Sequence, residues 1–151
     1  MRAAILLFCM GVVMTVIADS VAEGPSLEAY RWQNRLLLVF APAEDDPRLA
    51  RQMALSRAYG DGLAERDLLL MEIIGSKKMR IEGHAGSLAD AKALRDRHNV
   101  ADDAFAVILI GKDGGVKLRK PLPWDVRELS RVIDKMPLRQ QEIREQHLNV
   151  Q

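Results

Sequence analysis

FAVILIGKDGGVKLR, residues 105–119, is the stretch that decides the fold. It begins with six consecutive apolar residues, Phe105–Ile110, a run rich in β-branched types and too short for an ordinary helix, which predicts a strand buried on both faces. Gly111–Gly115 supplies the glycines of a tight turn, and Val116–Arg119 alternates apolar and basic residues as an edge strand does. The stretch therefore predicts a β-hairpin in which a central strand is followed by an edge strand.

Two further apolar runs predict the rest of the sheet. Arg35–Phe40 and Leu68–Ile74 have the composition of buried strands. The segment between them predicts a helix, because Asp46 can cap its N-terminus and Pro47 suits the first helical position. We expect this helix to end at Gly60, since glycine readily adopts the conformation that closes a helix. A helix between two strands of one sheet implies that the strands run parallel.

The segment after the second strand is polar. Gly75–Gly86 is expected to be a loop, with at most a short extended piece at Met79–Ile81. The spacing of Ser87 and Asp90 has the form of a capping box and predicts a helix to about His98.

The C-terminal part predicts two helices. Asp125 caps a helix whose apolar residues fall on one face, and Pro137 ends or kinks it before a charged terminal helix at Leu138–Leu148. The order strand, helix, strand, helix, strand, strand, helix predicts a three-layer α/β fold of the thioredoxin-like type. Its mixed sheet combines a βαβ half with a β-hairpin and a C-terminal helix. We expect a single domain over residues 27–148.

Composition narrows the classes of function. The chain has 151 residues, of which 48% are hydrophobic and 28% charged, as in an ordinary globular domain. Its 22 basic and 21 acidic residues nearly balance. General nucleic-acid binding is therefore not expected, because it depends on clustered positive charge.

The first residues resemble a secretory signal. Arg2 is followed by an uncharged, mostly apolar run, Ala3–Ile17, and the segments Val16–Ala18 and Ser20–Ala22 present the small residues that a signal peptidase accepts. We expect a cleaved signal peptide at residues 1–18, or alternatively 1–22, and a secreted or periplasmic chain without a stable membrane span. A membrane tether formed by an uncleaved signal is the alternative. Cleavage removes Cys9, the only cysteine, so the mature chain would have no thiol.

Four motifs in order resemble one known family. They are LLLVFAP at 36–42, ERDLLLMEI at 65–73, LIGKDGGVKLR at 109–119 and IDKMPLRQQE at 133–142. These motifs resemble the family catalogued as domain of unknown function 4174, over about residues 27–142. The resemblance implies a thioredoxin- or peroxiredoxin-like fold and a relation to domains of sushi-repeat-containing extracellular matrix proteins. It implies no activity and no catalytic residues.

In a thioredoxin-like fold the chemistry lies where the first strand ends and faces the loop before the hairpin. Here those positions, Ala41–Pro47 and Asp102–Ala104, hold no cysteine to act as a thiolate and no proline before Phe105. Both segments are acidic instead. Calcium, which binds several carboxylate oxygens, is the cofactor that this pattern allows. The simpler interpretation is a helix cap with solvated neighbours; the candidate ligands are Glu44, Asp45, Asp46, Asp102 and Asp103.

Two charged groups complete the candidates. Basic residues on the hairpin could bind a protein or polyanion partner, although a solvated edge strand also accounts for them; they are Lys112, Lys117, Arg119 and Lys120. The polar members of two family-like motifs predict a structural ion network that joins the terminal helix to the sheet; they are Glu65, Arg66, Asp67, Arg139 and Glu142.

Together these features predict a non-redox binding or structural module of the envelope or extracellular space. The alternative is a cysteine-independent, oxidoreductase-like or other small-molecule enzyme derived from a peroxiredoxin-like ancestor. An enzyme would need an enclosed pocket with polar groups at the acidic edge.

Overall fold

A computed structural model describes residues 27–85 and 88–149 of the chain. A turn of 3-10 helix, Leu27–Tyr30, leads into six strands and five α-helices. The strands are β1 Arg35–Ala41, β2 Leu68–Ile74, β3 Lys78–Ile81, β4 His84–Ala85, β5 Ala106–Ile110 and β6 Val116–Lys120. The helices are α1 Pro47–Arg57, α2 Gly60–Ala64, α3 Leu88–Arg97, α4 Val126–Asp134 and α5 Pro137–Leu148. None of the helices in these ranges is long and apolar enough to cross a membrane.

The strands form one mixed sheet in the order β4-β3-β2-β1-β5-β6. β1 lies at its centre, parallel to β2 and antiparallel to β5, and all seven of its residues are buried. β5 and β6 form the predicted antiparallel hairpin, with a register irregularity at Leu109 and Ile110. The predicted mixed α/β architecture is therefore confirmed.

The two sides of the sheet carry separate cores. Leu37 and Val39 of β1 pack toward α1, α2 and α4, a side that we call the α1/α4 face. Leu36, Leu38 and Phe40 alternate with them and pack toward α3, which we call the α3 face. Because successive strand residues point to opposite faces, a strand buried on both sides is continuously apolar, as β1 is from Leu36 to Ala41.

The predicted helix starts at two aspartates are confirmed. Asp46 Oδ1 accepts a hydrogen bond of 2.8 Å from the backbone N of Arg48, and Pro47 is the first residue of α1. Asp125 Oδ1 accepts bonds from the backbone N of Arg127 and Glu128 at the start of α4. Both side chains satisfy amide groups that the first turn of a helix leaves free. The predicted break at Pro137 is also present, since that residue begins α5.

The prediction that the first helix ends at Gly60 was wrong. α1 ends at Arg57, and Gly60 begins the short helix α2. Gly60 and Gly62 both lie within α2, and Gly62 contacts the ring of Tyr59, the residue before the helix. A Cβ at Gly62 would lie 2.1 Å from Cε1 of Tyr59, so a larger residue there would displace that ring.

The stretch predicted as a loop contains two strands: the short extended piece predicted at Met79–Ile81 is confirmed as part of β3, whereas β4 was not predicted. β3 pairs with β2 and buries Met79, and β4 adds two residues at the edge of the sheet. The stretch reads as a loop because Met79 is the only member of these strands that is fully buried. The predicted capping residue Ser87 lies outside the described residues. Asn99 follows α3 with a φ of 49°, a left-handed conformation that commonly ends a helix.

Candidate functional site

The edge formed by the C-terminal ends of β1 and β2 is where this topology would place chemistry. No cysteine stands between residues 27 and 149, and the single Cys9 lies outside the described part of the chain. The described residues contain no cis peptide bond, so the bond between Ala104 and Phe105 is trans. The thiol and cis-proline of a redox site are therefore missing at this edge.

A buried arginine occupies the edge instead. Arg95 of α3 is only 1% exposed, and its guanidinium donates hydrogen bonds to three backbone carbonyls: Gly75 O at 2.7 Å, Ala101 O at 2.6 Å and Ala41 O at 2.5 Å. Its Cζ lies 5.6 Å from the centre of the Phe40 ring. One side chain thus joins the end of β1, the end of β2 and the loop before β5.

The charge of Arg95 is held in a poorly solvated position. Burial lowers its pKa, and the negative charges of Asp102 and Asp103 act in the opposite direction. Sequence reasoning did not identify this residue. The signal was its position, because Ala91, Leu94 and Arg95 follow the i, i+3, i+4 spacing of a buried helix face.

The acidic candidates do not form one ligand set. Glu44 accepts hydrogen bonds from Lys78, at 2.5 Å, and from Arg80, and these bonds lower its pKa. Asp46 pairs with Arg48 at 2.6 Å, and the side-chain hydrogen bond from Arg48 is the main cause that lowers the pKa of Asp46. The others, Asp45, Asp102 and Asp103, are exposed. Within the described residues no group of three or more potential ligands could hold a metal ion. Calcium binding stays a prediction from the sequence, without support from this geometry.

A shallow groove of about 440 Å³ lies beside the first turn of α1. It is lined by Pro47, Arg48, Arg51, Leu122 and Pro123. The Cζ of Arg48 lies 5.1 Å from the ring centre of Phe105, so this guanidinium forms one wall of the groove and covers an aromatic ring. None of the lining residues can exchange a proton near neutral pH, and the groove is therefore poorly suited to general acid-base catalysis.

The basic hairpin residues have separate internal partners. Lys112 pairs with Asp67 and Glu142, both at 2.8 Å, and Lys117 pairs with Asp113 at 2.6 Å. Lys120 pairs with Glu128 at 2.8 Å, and its Nζ lies 4.5 Å from the centre of the Trp124 ring. These three charges are neutralised within the domain and do not form a common patch.

Arg119 differs from the three lysines. It donates to the carbonyls of His98, at 2.6 Å, and Asn99, at 3.1 Å, just after the end of α3. These partners are neutral, so the positive charge of Arg119 has no carboxylate counterion among the described residues. Its side chain is exposed.

The residues of the predicted ion network lie together at the opposite end of the sheet. Arg66 makes a two-pronged contact with Asp134, at 2.9 and 2.8 Å, and Arg139 donates to Glu65 at 2.8 Å. Arg139 also approaches Glu142 at 3.4 Å. The network therefore connects the segment before β2 with α4 and α5.

Three members of this network were missed in the sequence. Arg35, only 1% exposed, donates to Glu142 at 3.0 and 3.3 Å and to the carbonyl of Arg66 at 2.9 Å. The second missed member is Lys112, which forms an ion pair with Asp67, and the third is Asp134, which pairs with Arg66. Hydrogen bonds from Arg35 and Lys112 hold the pKa of Glu142 below its usual value, although burial, the largest single influence, acts to raise it. The sequence did not indicate a role for Arg35, because this residue is the first of an otherwise apolar strand and a charged residue at a strand end is usually solvated.

Comparisons with known proteins agree with this architecture. Residues 26–142 match the family described as Domain of unknown function (DUF4174). Coiled-coil domain-containing protein 80 of Danio rerio is 24% identical over an alignment of 133 residues, and the match covers 78% of this chain and 15% of the relative. The chain thus spans only a small part of that protein's length.

Solved structures of peroxiredoxins resemble the chain in fold. Thioredoxin peroxidase I of Plasmodium yoelii superposes with a TM-score of 0.56 at 19% identity, covering 73% of this chain and 76% of the other. The reduced 2-Cys peroxiredoxin of Plasmodium vivax gives a TM-score of 0.54 at 17% identity, covering 72% and 80%. At this identity the likeness concerns the fold alone. The predicted thioredoxin-like fold is confirmed.

Proposed function

The chain belongs to the DUF4174 family, and from this premise we propose that it is an exported, non-redox thioredoxin-like module that binds a partner or contributes structure outside the cytoplasm. The relation to sushi-repeat-containing matrix proteins, expected from the sequence motifs, is part of this proposal. Such a role would suit a domain that corresponds to 15% of a much longer relative.

The observation that supports a non-redox role is that the edge formed by the C-terminal ends of β1 and β2 is occupied by arginine side chains instead of a thiol. Thiol chemistry needs an accessible thiolate that can approach its substrate. Here the backbone carbonyls at the ends of β1 and β2 are bonded to the buried guanidinium of Arg95, and the first turn of α1 presents Arg48 paired with Asp46. The edge supports a rigid scaffold better than a reactive centre.

The alternative is an enzyme that works without its own cysteine. Such an enzyme would need groups that transfer protons or hold a cofactor in an enclosed site. The groove beside α1 is open and is lined by two prolines, a leucine and two arginines. This lining favours binding over catalysis.

An activity assay tests the proposal. The purified chain is incubated with hydrogen peroxide, and separately with a disulfide-bonded protein substrate, in the presence of dithiothreitol; a 2-Cys peroxiredoxin and a thioredoxin serve as positive references. We expect no turnover above the background without protein. The Cys9→Ser variant is the matched control. Turnover that is lost in this variant would assign redox chemistry to Cys9, and turnover that persists in it would favour the cysteine-independent enzyme. Either result contradicts the proposal.

A further inference from the structure

We propose that the free edge of β6 binds an extended peptide segment in which acidic and apolar side chains alternate, and that the bound segment extends the sheet by a seventh strand. This inference rests on the proposed binding role and names the surface and the chemistry of the partner.

The first observation is an unpaired strand edge. β6 ends the sheet and pairs only with β5 among the described residues. Four of its five residues are exposed, so no helix or loop in the described part of the chain covers it. A free edge offers backbone N–H and C=O groups to an added strand, which is a recurring way of binding extended peptides. The other edge strand, β4, has only two residues and offers a much shorter template.

The second observation is the apolar surface of this strand. Val116 is 54% exposed and Leu118 is 37% exposed. Leu118 stands opposite Leu109, whose side chain belongs to the core of the α1/α4 face, so Leu118 borders that core from the outside. An added strand with an apolar residue beside Leu118 would remove Leu118 and that residue from water; Val116 stands opposite Ile110 and borders the core of the α3 face instead. At about 25 cal/mol per Å² of buried apolar surface, this contact favours binding.

The third observation is positive charge on the opposite face. Arg119 stands opposite Ile108, which belongs to the core of the α3 face. Arg119 reaches the end of α3, where Arg97 is also exposed. The pKa of His98 is lowered by burial first and then by the charges of both arginines, which indicates that the two lie near the same imidazole. Neither arginine forms an ion pair within residues 27–85 or 91–149, so both charges are available to an acidic partner.

The chemistry of the two faces determines which side chains should alternate along the bound segment. In an added strand, successive side chains point to opposite faces of the sheet. Residues on the α1/α4 face would pack beside Leu118, and those on the α3 face would approach Arg119 and Arg97. The favoured sequence therefore alternates apolar and acidic residues.

A second copy of the chain fits this edge less well. Two β6 strands paired antiparallel about Leu118 would place Arg119 of each copy opposite Lys117 of the other. Lys117 is already paired with Asp113, so a second copy would offer Arg119 no free carboxylate, and like charges directly opposite one another destabilise a sheet. An acidic segment meets the same positions with charge of the opposite sign.

The test uses a fluorescent, end-blocked peptide of alternating glutamate and valine and the purified chain. We expect saturable binding, together with slower amide hydrogen exchange of residues 116–120 when the peptide is bound. Three control peptides separate the contributions: lysine in place of glutamate, serine in place of valine, and N-methylation of alternate backbone amides. Each control should bind at least about tenfold more weakly, because it removes charge complementarity, apolar contact or strand pairing.

Two protein variants locate the site. Arg119→Gln removes a charge but also the hydrogen bonds at the end of α3, whereas Arg97→Gln removes a charge without disturbing a hydrogen bond described for that side chain. Both should weaken peptide binding about 3- to 10-fold, and the effect should fade at high salt. Lys135→Gln, an exposed change after α4, is the matched control and should leave the affinity unchanged.

Three outcomes would overturn the inference. They are absence of binding, binding without protection of residues 116–120, and protection of those residues by self-association that rises with protein concentration in the absence of peptide. Each leaves the activity assay unaffected. A chain that fails to bind the peptide and shows no turnover keeps the non-redox proposal and loses only this surface, whereas turnover refutes the non-redox proposal whether or not the peptide binds.

Discussion

Arg95 donates hydrogen bonds to backbone carbonyls at the ends of two parallel strands, where the sheet itself supplies few donors. The carbonyls of Ala41 and Gly75 lie where β1 and β2 stop, and Ala101 belongs to the loop that approaches the same edge. Backbone amides already donate to two of these carbonyls, Gly75 N to Ala41 O and Ala104 N to Ala101 O, and the N–H fork of the guanidinium adds a further bond to each of them and one to the carbonyl of Gly75. A single long side chain from α3 therefore stabilises the edge at which related folds place their reactive groups.

Replacing this arginine should destabilise the domain strongly. Arg95→Met keeps much of the apolar volume but leaves three carbonyls with fewer donors, so we expect the free energy of unfolding to fall by about 2–4 kcal/mol. Urea unfolding followed by circular dichroism measures the change. Arg97→Met is the matched control on the same helix, and its exposed side chain should change stability by less than about 0.5 kcal/mol. Equal effects of the two substitutions would mean that the three hydrogen bonds contribute little.

At the scale of single residues, the sequence predicts what depends on near neighbours. Asp46 and Asp125 are recognisable as caps because the amides that they accept from lie two or three residues away. Arg95 and Arg35 make their contacts with segments 6 to 107 residues away. Helical spacing places Arg95 on the buried face of α3, but no local rule indicates which carbonyls or carboxylates such an arginine contacts, because its partners come together only in the assembled fold.

At the scale of elements, α5 is attached to the domain by charge. Arg139 is the only buried residue of this 12-residue helix. It lies with Arg35, Arg66 and Lys112 among the carboxylates of Glu65, Asp67, Asp134 and Glu142, so four positive charges face four negative ones. Because the four cations and Glu142 are largely removed from water, whereas Glu65 and Asp67 are exposed, deleting Glu142 leaves poorly solvated positive charges uncompensated. The helix should therefore be sensitive to single charge changes and to acid.

Glu142 is the member of this network best suited to a test. Glu142→Gln removes a charge shared by Arg35, Lys112 and Arg139, and we expect a loss of about 2 kcal/mol at pH 7. The folded-state pKa of Glu142 lies below its usual 4.5, so the stabilisation is complete above that pH and is lost as the pH falls through the folded-state pKa. The difference between the two proteins should therefore shrink below about pH 4 in thermal unfolding experiments.

The control for this experiment lies one turn away on the same helix. Glu145 is exposed and accepts a hydrogen bond from Gln141 within α5, so Glu145→Gln should have little effect at any pH. A stability difference for Glu142→Gln that is unchanged at pH 3 would contradict the assignment, because it would show that the loss is not caused by the charge.

Elements differ in how well the sequence predicts them. β1, β2 and β5 are buried on both faces or nearly so, and a continuous apolar run is a strong signal. β3 has one buried residue and α2 has one, Leu63, so neither carries a detectable period. These two elements form because β2 offers a free edge and because the ring of Tyr59 packs over Gly62. Both causes lie outside the element itself.

At the scale of the whole molecule, the described domain has both of its cores without the first 26 residues. The buried cluster on each face lies between residues 36 and 133, and Leu27 and Tyr30 add partial cover to the α3 face. Removal of a signal peptide at either proposed position would leave every one of these residues in place. The mature chain would then combine a complete thioredoxin-like scaffold with the loss of its only cysteine.

This separation makes the proposed export testable without disturbing the fold. Expressed with its full N-terminus in a host that secretes proteins, the chain should appear outside the cytoplasm with an intact mass that begins at Asp19 or at Glu23. Signal peptidases require a small residue just before the cut. Ala18→Leu should therefore block the first position, Ala22→Leu the second, and only one of the two should change the mass. Ala4→Leu, an apolar change within the run, is the control and should be processed normally. A chain of uncleaved mass in the membrane fraction would instead support the tethered form, and an uncleaved chain in the cytoplasm would contradict export altogether.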